Sequence, residues 1–72
     1  MIFMKVHGAK LKAALIIAAT QGVSSYSLAH ESNISGDLDE MARKGVVELN
    51  EQQINALAKI VDVDPAFFTK PN

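Results

Sequence analysis

The stretch from Ser24 to Gly45, SSYSLAHESNISGDLDEMARKG, constrains this chain most. Leu28-Ala29 falls on a first short helix, Asn33-Ile34-Ser35 makes a tight turn, and Ser35 to Lys44 forms a second helix that Gly45 stops. Ser24 or Ser25 suits the first helix as its cap, because a serine oxygen accepts from the free amides of a first turn. Ser35 has the same role for the second helix. Asp37 in the first turn and Arg43-Lys44 in the last agree with the helix dipole, at about 0.3–1 kcal/mol per charge. Leu38, Met41 and Ala42 recur at i, i+3, i+4 and form the buried face, with the methionine as core filler. Ala29 is small enough for the two helices to approach closely, while Tyr26 and His30 fall on the outer face. Two short helices around a tight turn are the layout of a helix-turn-helix.

The remaining segments read as the body that such a pair needs. Ile2, Met4 and Val6 alternate with Phe3 and Lys5, so residues 1–8 form either a short strand or an extended arm, broken by Gly8. From Ala9 to Gln21 the composition is strongly helix-forming. That helix is apolar almost all round beyond Lys12, wider than the stripe a surface helix needs. Either another element of the chain covers it or a second copy does, and Ile2, Phe3, Ile16 and Ile17 are the candidate dimer contacts. Val46-Val47-Glu48-Leu49 reads as a short connection with apolar anchors. Asn50 with Gln53 three residues on has the pattern of a capping box. Ile54, Leu57, Ala58 and Val61 then give the cleanest amphipathic helix in the chain. Asp64-Pro65 opens a last helical turn, Phe67 and Phe68 seal the core, and Thr69 to Asn72 fray.

The expected fold is therefore all-α: one domain over residues 1–72, a compact four- to five-helix bundle with a helix-turn-helix. A chain of 72 residues is too short for a second domain. Nearly half its residues are apolar, enough for a packed core. The longest apolar run, Ala13 to Ala19, is seven residues, against about 20 for a membrane span. The N-terminus lacks the pattern of a secretory signal, so a cytoplasmic location is expected. There is no cysteine, hence no disulfide or thiolate metal site. His7 and His30 stand without a paired ligand at helical spacing, and the glycines form no phosphate-cradling loop. No catalytic constellation, cofactor or small-molecule substrate is expected.

Leu28-Ala29, then Ile34-Ser35, then Gly45, and finally Leu57-Ala58-Lys59-Ile60-Val61-Asp62-Val63-Asp64-Pro65-Ala66-Phe67-Phe68 carry a resemblance. In these residues and their spacing the chain resembles the lambda-repressor-like helix-turn-helix family of phage repressors, Cro-like proteins and Xre-type regulators. The similarity runs from about Lys10 to Phe68. It implies a helical bundle that dimerises on duplex DNA and reads bases with its third helix. The expected DNA or partner contacts are Ser24, Ser25, Tyr26, Ser35, Gly36, Asp37, Glu40, Arg43 and Lys44; Lys10 and Lys12, in a segment with no acid before Glu31, are either phosphate contacts or part of a solvated lysine face. The chain departs from the pattern at Ser25, where the family often has glutamine, and at Asn33, where it has the turn glycine. Asp39 falls on a core position that is usually aliphatic, for which Leu38 and Met41 compensate by a rotation of the helix.

Asp37, Asp39 and Glu40 place three carboxylates early in the expected reading helix, and the formal net charge of the chain is -1. Two partners follow. Duplex DNA fits the resemblance, since a carboxylate is a legitimate acceptor for the cytosine amino group. A basic protein surface fits the acids, in which case the chain is an antirepressor or anti-activator on the same scaffold.

Overall fold

The computed structural model describes residues 2–70, so Met1, where the expected strand or arm begins, and the end of the expected frayed tail, Pro71 and Asn72, lie outside the described residues. The chain runs β1 (Phe3–His7), α1 (Gly8–Thr20), α2 (Ser25–Glu31), α3 (Leu38–Ala42), β2 (Val46–Asn50), α4 (Glu51–Val61) and α5 (Ala66–Thr69). The all-α expectation is corrected: five helices share the fold with a two-stranded antiparallel sheet. Met4 lies opposite Leu49 and Val6 opposite Val47. The physical reason is alternation on both strands. Val6 and Leu49 are buried and Met4 and Val47 half-buried on one face, while Phe3, Lys5, Val46 and Glu48 are exposed on the other. The segment read as a connector has this period of two, but five residues show it too briefly, and its partner lies at the other end of the chain.

α1 is the central element. It meets α2, α3, α4, α5 and β1, which is why it is apolar almost all round. Leu11, Ala14 and Ala18 are buried, and Leu15 and Ile17 pack against the core at half-burial. No side chain caps its start. Instead the Gly8 amide donates to the Gly45 carbonyl at 3.1 Å. A Cβ at Gly8 would overlap the Lys44 carbonyl oxygen and lie 2.8 Å from that of Ala42. Carbonyls at a helix N-terminus also complement its partial positive charge. Glycine therefore lets α1 abut the end of α3, where the sequence alone reads only a strand breaker.

At the other end of α1, the Val23 amide donates to Ala18 and the Gly22 amide to Ala19, at 2.8 and 3.0 Å. This is a Schellman closure with Gly22 at φ 78°. The end of α2 repeats it, with Ile34 donating to Ala29 and Asn33 donating to His30, and with Asn33 at φ 58°. Asparagine tolerates this left-handed conformation because its short polar side chain adds little steric penalty.

α4 carries the expected capping box. The Gln53 amide donates to Asn50 Oδ1 at 2.8 Å, and the Asn50 amide donates to Gln53 Oε1 at 2.9 Å. Its buried stripe is Ile54, Leu57, Ala58 and Val61. Asp64 Oδ1 accepts from the Ala66 amide at 2.9 Å and sets up α5. α5 includes Thr69, one residue into the expected frayed tail. Phe68 is completely buried, and half-buried Phe67 meets it edge to face with centroids 5.3 Å apart. Burying a side chain of this size contributes about 1.5–3 kcal/mol. Among the described residues, no helix is long and apolar enough to cross a membrane.

Candidate nucleic-acid interface

α2, residues 32–37 and α3 form the candidate interface. Leu28 and Ala29 of α2, Ile34 of the turn and Leu38 of α3 are buried on the core side. The opposite side presents Ser24, Tyr26, His30, Ser35, Gly36, Asp37, Asp39, Glu40, Arg43 and Lys44, all exposed. Ser25 is half-buried between the two helices.

The second helix is shorter than the sequence implies. α3 covers Leu38–Ala42 rather than Ser35 to Lys44. Its cap is Asp37, not Ser35: Asp37 Oδ1 accepts from the Asp39 and Glu40 amides at 3.0 and 3.4 Å. Asp37 wins because a carboxylate accepts more strongly from helix amides than a hydroxyl does. Ser35 and Gly36 then belong to the turn. Arg43 is the C-cap and Lys44 leads into β2, so these two cations follow α3 instead of lying on it. α2 is capped by Ser24, whose Oγ accepts from the Ser27 amide at 3.1 Å.

Asp39 is exposed, not in the core, and its neighbour Leu38 fills the buried position. The Ser25 hydroxyl donates to Asp39 Oδ2 at 2.8 Å. This bond joins the first turn of α2 to α3 and occupies the hydroxyl proton expected to reach a phosphate. Asp37 and Asp39 are thus both working parts of the α2–α3 unit. Neither Glu40 nor Arg43 has a side-chain partner among the described residues. On a five-residue helix with Leu38 inward and Met41 and Ala42 half-buried, these two side chains define the outward line.

Tyr26 and His30, one turn apart on α2, stack with ring planes 9° apart and centroids at 6.4 Å. Beside them lies an open cleft of about 370 Å³, floored by Ala29, Ile34 and Leu38 and rimmed by Gly36 and Asp37. The turn itself is held from behind. Gln53 Nε2 donates to the Asn33 carbonyl at 3.0 Å, so the capping residue of α4 also anchors the left-handed turn residue. The Asn50–Gln53 spacing reveals the cap from sequence, but nothing local reveals this second bond. Likewise, the sequence gives no signal for the Ser25–Asp39 bond, which joins residues of two separate helices.

The lysines expected on phosphates are distributed otherwise. Lys10 Nζ lies 4.4 Å from the centroid of the Phe67 ring, a cation–π contact with α5 and not a part of the α2–α3 unit. Lys12 is exposed on α1. Of the candidate dimer contacts, Ile2, Phe3 and Ile16 are exposed, and Ile17 packs instead against the core. No protein-family model, curated protein or solved structure matches this chain.

Proposed function

We propose that this protein is a small non-enzymatic transcriptional regulator of the lambda-repressor-like kind that binds duplex DNA through α2 and α3 as a cytoplasmic homodimer. The observation that carries the reading is the internal use of two of the three carboxylates. Asp37 caps α3 and Asp39 accepts from Ser25. Two of the acids that argue against a DNA-facing helix therefore have a structural role, and the acid left without a partner, Glu40, is followed by a base, Arg43, at the C-cap of α3. Tyr26, Ser35 and Lys44 flank these two, exposed, and supply donors for phosphate oxygens, while the Ser24 hydroxyl already donates to Ser27 Oγ at 3.1 Å. Exposed Ile2 and Phe3 at the sheet and Ile16 on α1 support association of two copies.

Each carboxylate charge brought to 4 Å from a phosphate opposes binding by about 1 kcal/mol in water, so affinity for random sequence is modest. Titration of labelled random-sequence duplex, followed by anisotropy at about 50 and 200 mM salt, tests the reading. Binding at the lower salt with steep loss at the higher is expected. Absence of binding at micromolar protein and low salt would overturn it.

A second reading, a docking module for a basic protein surface, draws on a specific observation. The same face carries the apolar-floored cleft beside Tyr26 and His30 with Asp37 on its rim. Salt-sensitive binding of a basic protein, together with silence towards DNA, would favour it.

A further inference from the structure

Resting on the DNA-binding reading, we propose that Glu40 is a specificity-determining residue that accepts a hydrogen bond from the N4 amino group of a cytosine in the major groove. Three carboxylates stand together in sequence, but they are not equivalent in space. Asp37 Oδ1 is turned back onto the Asp39 and Glu40 amides. Asp39 Oδ2 holds the Ser25 hydroxyl. Glu40 is exposed and has no partner among the described residues, so both its oxygens are open to a ligand, whereas one oxygen of Asp37 and one of Asp39 are already engaged.

An ionised carboxylate only accepts. On the major-groove edge, adenine places its N7 acceptor beside the N6 donor, guanine presents N7 and O6 as acceptors, and thymine presents an acceptor and a methyl group. Cytosine contributes a donor without an acceptor of its own. An acceptor-only side chain therefore selects cytosine. Three residues on, the donor-only Arg43 at the C-cap keeps right-handed helical backbone (φ -84°, ψ -11°), so it continues the spacing at which side chains are neighbours on a helix surface. Arginine matches the acceptor-only guanine edge. Glu40 and Arg43 are thus complementary to the two edges of a C·G pair, or to a cytosine and guanine in adjacent pairs. The absence of an ion pair between them leaves both free for the bases.

Selection from a randomised duplex library with the wild-type protein and with Glu40→Gln tests this directly. The wild type should enrich sites with a fixed cytosine in each half-site. Glu40→Gln should move that position to adenine, because an amide both donates to N7 and accepts from N6. Replacing the fixed cytosine by 2-pyrimidinone, which lacks the amino group, should weaken wild-type binding about tenfold and leave Glu40→Gln almost unaffected. The substitution is isosteric at an exposed position, and circular dichroism checks that the variant is folded. If both proteins bind DNA with the same base preferences, the role of Glu40 is overturned while DNA binding stands. If the wild type binds no duplex at about 50 mM salt, the DNA reading falls and this inference with it.

Discussion

At the residue scale, Gly8 and Asp37 show how single side chains decide the local geometry. Gly8→Ala puts a methyl group into the Lys44 carbonyl, and backbone cannot swing aside as a flexible side chain does. Overpacking of this kind costs about 1–3 kcal/mol, and thermal melting should place Gly8→Ala in the upper part of that range. An unchanged melting temperature would mean that the α1–α3 contact relaxes freely. Asp37→Ala removes the only side-chain cap of a five-residue helix, at a cost of about 1 kcal/mol. The Ser25–Asp39 bond is solvent-exposed, and a double-mutant cycle with alanine at both positions should give a coupling of about 0.5–1 kcal/mol. A coupling of zero would free the Ser25 hydroxyl for a phosphate. Asp37 as an early helix acid is legible from sequence, because capping is a local matter. Gly8 is not, since the atoms it avoids belong to residues 42 and 44.

At the element scale, α4 and the turn before α3 form one mechanical unit through Gln53. Gln53→Ala removes both the capping-box bond and the anchor on the Asn33 carbonyl, at an expected cost of about 1–2 kcal/mol. Gln53→Glu separates the two effects. It keeps an acceptor for the Asn50 amide and loses the donor to Asn33. Amide hydrogen exchange should then rise around residues 32–36 while the first turn of α4 stays protected. Equal exchange in both regions would show that the turn does not depend on this bond. The sheet belongs to the same scale. β1 and β2 each read ambiguously in five residues, and their identity is settled by pairing: Val6 finds Val47, and Met4 finds Leu49.

For the whole molecule, α1 organises the packing, and exposed large apolar residues stand on two surfaces, α1 and the sheet. The other four helices and β1 surround α1 and leave Ile16 as its exposed large apolar side chain. Ile2, Phe3 and Val46 are exposed at the sheet. If the proposed dimer uses the sheet, Phe3→Asp should shift the sedimentation profile to monomer, whereas Ile16→Asp should leave it unchanged. The reverse pattern would place the dimer contact on α1.

The sequence by itself determined what rests on local physics. The amphipathic stripe of α4, the capping box at Asn50, the left-handed tolerance of Asn33 and the short-helix pair around it all follow from neighbours within one or two turns. Tertiary structure decided what depends on residues far apart in the chain. It turned a connector into β2 because β1 lay ready to pair with it. It made Asp39 a partner of Ser25 and Lys10 a partner of Phe67, and left Glu40 and Arg43 facing outward. Periodicity and capping report the environment a residue needs, and only the folded chain specifies which distant residue provides it.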